Sequence, residues 1–242
     1  MLRQAMFRLR ASAEDLLGPL PGAMLRELRL PWVQALGIAG VIDVGANVGQ
    51  FASIARAAFP RARILSLEPL PDCLAQLRRR FRRDSRFQAL QLAAGAREEE
   101  REIHRSGYSP SSSLLPMADR HREAFPSTAS TTPLRVRVRR LDDALEDGQD
   151  GPLLEGPLLL KLDVQGFELE ALRGGPRTLE RCSLVLLEAS LHRLYVGEAL
   201  FADVQAHLTE RGFSLAGLAG GLRDPRDGRP LQVDALFERS RG

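Results

Sequence analysis

Val41-Ile42-Asp43-Val44-Gly45-Ala46-Asn47-Val48-Gly49-Gln50 is the stretch whose reading decides the fold. Its apolar start predicts a short strand over 41–44, and its small residues predict a tight turn. An amphipathic segment then predicts a helix from about Gly49 to Phe59, so the whole reads as the opening of a βαβ unit. Glycine and alanine let the backbone approach a ligand, and a helix N-terminus offers free N–H groups with partial positive charge. The spacing Gly45-x-x-x-Gly49 does not fit the G-x-G-x-x-G register that seats a pyrophosphate. It suits a ligand without phosphates, whose amino-acid carboxylate would rest on the amides of Gly45, Ala46, Asn47 and Gly49. Asp43 would then face the ligand's ammonium. A plain tight βα turn is the simpler alternative.

Working outward, short apolar runs alternate with longer amphipathic segments, the signature of a mostly parallel sheet. Strands are predicted over 63–68, 87–92, 157–164, 183–188, 213–218 and 233–237, and helices over 71–83, 167–172 and 201–211. The segment 98–104 reads as a small extra strand, and Arg135-Val136-Arg137-Val138-Arg139 as a half-exposed one. Residues 106–133, rich in Ser, Thr and Pro, read as a long loop, either an active-site lid or, as the plainer alternative, a disordered segment. Residues 1–36 read as a helical lead-in before a single domain over 37–242. The expected fold is α/β, with a seven-stranded, mostly parallel sheet and helices on both faces.

Glu68 ends the second strand 19 residues after Gly49, where a carboxylate can accept hydrogen bonds from two ribose hydroxyls, and Pro69 stops the strand. S-adenosylmethionine (SAM) joins an amino acid, a sulfonium and an adenosine, and this layout offers a place for each. Asp163 projects from the end of a buried strand beside the expected sulfonium methyl. A buried carboxylate is costly without a partner, so Asp163 is a candidate to hold the ammonium, orient a substrate hydroxyl or accept its proton. Lys161, the only lysine, is expected to pair with Glu68 or Glu188. His192, at the rim after the 183–188 strand, is the second candidate to take a proton near neutrality, and Tyr195 could line the pocket. His104, His121 and His207 read as structural or solvated. No cluster has metal-ligand spacing, and Asp142-Asp143 read as the start of a capped helix.

Five segments taken together carry a resemblance. They are 41–49; Ser66-Leu67-Glu68-Pro69; Ser111-Ser112-Ser113-Leu114; Leu160-Lys161-Leu162-Asp163-Val164-Gln165-Gly166-Phe167-Glu168 with its continuation to Gly174; and Val233-Asp234-Ala235-Leu236-Phe237. In this order, across about 40–238, the chain resembles the FkbM family of SAM-dependent methyltransferases. The resemblance implies a class I (Rossmann-like) methyltransferase fold and usually O-methylation of a hydroxyl, on surface glycans, glycolipids or polyketide-type natural products. Family members usually carry an acidic or polar residue near the end of the turn after strand three. Here Ala93-Ala94-Gly95-Ala96 lacks one, so Ala94 would contact adenine through its backbone.

Composition narrows the setting. Of the 242 residues 44% are apolar, enough for a sizeable core, and no apolar run approaches the ~20 residues of a membrane span. The N-terminus lacks the apolar stretch of a signal peptide, and two cysteines, Cys73 and Cys182, form no disulfide framework. A cytoplasmic location is expected. The net charge of +3 rests on 33 arginines and one lysine, a skew that suits a GC-rich genome better than selection for polyanions. The expected acceptor is a small molecule or glycan. The rival readings are a non-catalytic SAM- or nucleoside-binding module and, as a minor one, a nucleic-acid methyltransferase.

Overall fold

The computed structural model describes residues 21–146 and 154–240. Seven strands form the main sheet: β1 (Gly40–Val44), β2 (Arg63–Leu67), β3 (Phe87–Leu90), β7 (Leu158–Leu162), β8 (Cys182–Ser190), β9 (Phe213–Gly220) and β10 (Gln232–Arg239). Their order is β3-β2-β1-β7-β8-β10-β9, parallel except for β10, which runs antiparallel to both neighbours. This is the expected class I arrangement. The order reverses between β1 and β7, and ligands of open α/β sheets bind at such a switch, outside the carboxyl ends of the strands.

Side-chain alternation explains why the central strands are apolar without interruption. Val41, Ile64, Leu159, Leu184 and Leu236 pack on one face. Ile42, Leu65, Leu160, Val185 and Phe237 pack on the other. Both faces are covered, as burial of a parallel sheet requires. The first face carries α1 (Pro21–Leu28), α2 (Pro31–Gln34) and α3 (Gln50–Ala58) through Met24, Leu28, Val33, Phe51 and Ala55. The second carries α6 (Leu141–Glu146), α7 (Glu168–Arg173), α8 (Pro176–Arg181) and α9 (Phe201–Thr209) through Leu145, Leu172, Leu179 and Leu208. Asp142 and Asp143 do fall in the first turn of a helix, α6, and the buried Asp142 carboxylate caps α8, accepting from the Thr178 N–H at 2.8 Å and hydroxyl at 2.9 Å. Of the expected lead-in, residues 1–20 lie outside the described residues. The rest is packed into the domain: Met24 and Leu28 are buried, and each such side chain contributes about 2 kcal/mol.

A second sheet, β4 (Ala93–Ala94), β6 (Thr131–Arg139) and β5 (Glu99–Ser106), stands beside α4 (Pro71–Arg80) and shares an apolar cluster with it through Ile103, Val136, Leu70 and Cys73. The expected long loop over 106–133 carries regular structure of its own. It contains 3-10 turns at Ser109–Ser111 and Pro126–Thr128 and a helix, α5 (Asp119–Ala124), and its end belongs to β6. Its polar composition hid buried groups that pin it: Ser106 Oγ donates to Thr128 O at 2.8 Å, and Ser113 Oγ donates to Gln165 O at 2.6 Å. Among the described residues no helix is long and apolar enough to cross a membrane.

Candidate active site

A cavity of about 420 Å³ opens at the switch between β1 and β7. One end is walled by Gly45, Ala46, Asn47, Glu68 and Ala94, the middle by Lys161, Asp163 and Gln165, and the far end by Glu188, Gln232 and Asp234. The 106–133 segment contributes Tyr108, Ser109, His121 and Phe125.

The turn after β1 is built by close approach. Gly45 has φ +75°, and a Cβ there would fall 1.9 Å from the Asp163 carbonyl oxygen. Asn47 is also left-handed, φ 48°, and its side chain reaches Ser109 Oγ at 3.0 Å, tying the turn to the covering segment. The turn's own amides are spent internally. Those of Gly45 and Ala46 donate to Leu67 O, that of Val48 to the Asn47 side chain, and that of Gly49 to Ala46 O. The expected carboxylate seat on these amides is therefore corrected. The free donors lie one step later, at Gln50 and Phe51 in the first turn of α3, which has no side-chain cap and faces the cavity.

Glu68 also has a structural duty that spacing did not reveal. It accepts the Asn47 N–H at 2.7 Å and the Leu70 N–H at 2.8 Å, one on each oxygen, and so holds the turn against the end of β2. Burial pushes its carboxyl up to about 7 despite those bonds. Each oxygen keeps a further lone pair, and Glu68 and Pro69 both form part of the cavity wall.

Asp43 does not face the cavity as expected. It is fully buried, 3.2 Å from Lys161 Nζ and 3.3 Å from the Ser66 hydroxyl that donates to it. Lys161 pairs with Asp43 and, at 3.5 Å, with Asp163, not with Glu68 or Glu188. The register accounts for this: Asp43 and Lys161 are direct partners across β1 and β7. Burial alone would lower the lysine's pKa, but the two carboxylates outweigh it and hold the ammonium charged. Asp163 keeps 41% of its side chain exposed, at the centre of the cavity.

Gln165 was overlooked. In a left-handed conformation (φ 53°), it donates from Nε2 to Asp163 Oδ1 and Glu188 Oε2, both at 2.8 Å, while its Oε1 accepts the Tyr195 hydroxyl at 2.8 Å. It separates two carboxylates that would otherwise repel. Tyr195 is wholly buried behind it and does not line the cavity. His192 is not among the lining residues either; its backbone N–H bonds Leu231 O. His121 does line the cavity, packed edge-on to Phe125 and Tyr195.

A family model described as Methyltransferase FkbM domain matches residues 43–215. The chain belongs to the FkbM methyltransferase family. It is 30% identical to methyltransferase sdnD of Sordaria araneosa, over 82% of this chain and 80% of that one. It is 26% identical to the 2-O-methyltransferase NoeI of Sinorhizobium fredii, over 65% and 66% of the two chains. A solved Listeria monocytogenes structure described as a putative SAM-dependent methyltransferase aligns with a TM-score of 0.49 at 11% identity, covering 90% of this chain and 97% of that one. As an FkbM protein the chain is a SAM-dependent methyltransferase.

The FkbM cavity fits that cofactor. The glycine cradle at 45 brings the first turn within van der Waals reach of the Asp163 backbone. Leu92, Ala93, Ala94 and Ile103 form a narrow apolar wall beyond Glu68, and Asp163 offers an exposed carboxylate to an ammonium.

The turn between β7 and α7 is closed by a buried carboxyl group. Glu168 is buried, and its Oε1 accepts the Val164 N–H at 2.9 Å and the Gly166 N–H at 3.3 Å. Burial pushes its carboxyl up to about 8. The folded chain thus holds a proton that the unfolded chain releases near its ordinary pKa. This stabilisation is full below that pKa and is lost as pH rises through about 8. The unfolding midpoint should fall between about pH 5 and pH 9, and Glu168→Gln should flatten that slope. An unchanged slope in the variant would remove Glu168 as its source.

Proposed function

We propose that this chain transfers the methyl group of SAM to a hydroxyl oxygen of a sugar, glycan or natural-product acceptor. The observation that carries the reading is the continuity of one cavity from Gly45 and Glu68, past Asp163, to Glu188 and Asp234. On this reading a donor site and an acceptor site share one cavity, with the reversal of strand order between them. NoeI, a 2-O-methyltransferase by name, supports oxygen as the accepting atom.

When bound, SAM supplies a methyl group on a positively charged sulfur, already activated for attack. The first turn of α3 would receive its carboxylate, Asp163 its ammonium, the free lone pairs of Glu68 its ribose hydroxyls, and Ala94 the edge of its adenine. Asp163 is kept in place by Lys161 on one side and Gln165 on the other. The protein's task is to align two reactants and exclude water, and the 106–133 segment, joined to the glycine turn through Asn47 and Ser109, closes that space. Incubation with SAM and a panel of methyl glycosides and polyphenols should yield products one methylene heavier, with O-methyl signals by NMR. Methylation on nitrogen or carbon alone would contradict the reading.

A further inference from the structure

Two residues that line the cavity each carry a buried hydrogen-bond acceptor with no partner among the described residues. One is Oδ2 of Asp234, a residue only 9% exposed. The other is Nδ1 of His121, 2% exposed. The tautomer of His121 follows from its neighbour. The Thr128 hydroxyl donates to Phe125 O at 2.9 Å, so its oxygen must accept from His121 Nε2, also at 2.9 Å. The proton is then on Nε2, and Nδ1 presents a lone pair. Burial pushes the ring's pKa down to about 4, which keeps it neutral.

Leaving a buried acceptor unsatisfied costs about 1–3 kcal/mol. Two of them lining one cavity call for a ligand that brings donors. Asp234 lies directly across from Glu188 in the β8–β10 register, so both carboxyl groups share a face at the far end from the glycine turn. Glu188 is already held by Gln165, which leaves Asp234 as the uncommitted carboxyl. Burial first, then the charge of Asp163, raise the Asp234 pKa, as suits a group that receives a proton. Phe125 adds an apolar surface beside these acceptors, the mixture that a sugar ring with an apolar face and a hydroxylated edge would match.

We propose that Asp234 and His121 form the acceptor subsite for a polyol, with Asp234 Oδ2 binding the reacting hydroxyl and His121 Nδ1 a neighbouring one. This rests on the O-methyl transfer reading above. The hydroxyl proton passes to Asp234 Oδ2 as the oxygen bonds to the methyl carbon, and sulfur keeps the electron pair of the broken S–CH3 bond as S-adenosylhomocysteine forms. Asp234 then releases the proton to solvent.

The test uses the full chain loaded with S-adenosylhomocysteine and a panel of methyl glycosides. Saturation-transfer NMR reads binding, and methyl transfer from SAM reads turnover. Wild type should show saturation of at least one glycoside. Asp234→Asn, which keeps the shape, should lower kcat at least ~100-fold with KM nearly unchanged. His121→Phe should raise KM about tenfold, and weaken the NMR contact, with kcat nearly unchanged. SAM titration of both variants should match wild type, which shows that they are folded. Asp234→Asn with wild-type kcat, or His121→Phe with wild-type KM, would overturn the subsite while leaving O-methyl transfer intact. SAM binding without saturation of any glycoside would overturn the polyol subsite and leave the methyl donor standing. Absence of SAM binding in wild type would instead sink the underlying reading.

Discussion

Gly45→Val should abolish SAM binding and destabilise the fold. Any Cβ at 45 would fall 1.9 Å from the carbonyl oxygen of Asp163, whose backbone is held just past β7 by its N–H bond to Val44 O at 3.1 Å. The φ of +75° adds strain for any residue with a side chain, and most of all for a β-branched one. Relief requires β1 and β7 to separate at their carboxyl ends, where the cavity lies. A cost of about 3 kcal/mol or more is expected. If it falls on the site it corresponds to at least ~100-fold in affinity. Calorimetric titration with SAM, alongside thermal unfolding, would measure both. Gly217 is the control, since a Cβ there meets nothing within 4 Å, and Gly217→Ala should change neither quantity. Wild-type affinity in Gly45→Val would show that the turn does not seat the cofactor.

Lys161→Met should be the most destabilising single change to a side chain. It leaves Asp43 fully buried with only the long 3.3 Å bond from Ser66. Removing one partner of a buried pair costs roughly 3–5 kcal/mol, whereas neutralising both partners costs far less. For a chain of this length that is a fall of about 10 °C in unfolding midpoint. Adding Asp43→Asn to Lys161→Met should restore much of the loss. Full restoration is not expected, because Lys161 also pairs with Asp163 and donates to the Gly45 carbonyl at 3.2 Å. A double variant less stable than either single one would contradict the pairing.

The layout of the sheet was legible because the physics that makes it is local. Uninterrupted runs such as Leu158 to Leu162 are apolar because both faces of the strand are covered, and the alternation of Ile42 and Val41 between two cores follows from the pleat. The Gly45 turn was legible for the same reason, since only small residues tolerate its backbone. What escaped were contacts set by strand order and by distant segments. Asp43 meets Lys161 because β7 inserts beside β1, and nothing in either segment alone announces that. Glu68 was correctly placed at a strand end, but its bond to the Asn47 amide depends on how the glycine turn folds back. The helix at Asp119–Ala124 is short and lies between Ser- and Pro-rich stretches, so its period is too brief to stand out. His121 reads as structural or solvated from its own segment, yet its partners include Tyr195, far along the chain. The order of Asp234 and Glu188 across β10 and β8 was equally hidden, although the Asp234 segment was itself part of the family resemblance.

Titration of SAM into the folded chain tests the central claim most directly, because the donor and acceptor sites share one cavity that begins at the glycine turn. One molecule should bind per chain, with S-adenosylhomocysteine competing for the same site and Gly45→Val removing the signal. A folded wild-type protein that binds neither molecule would contradict the account.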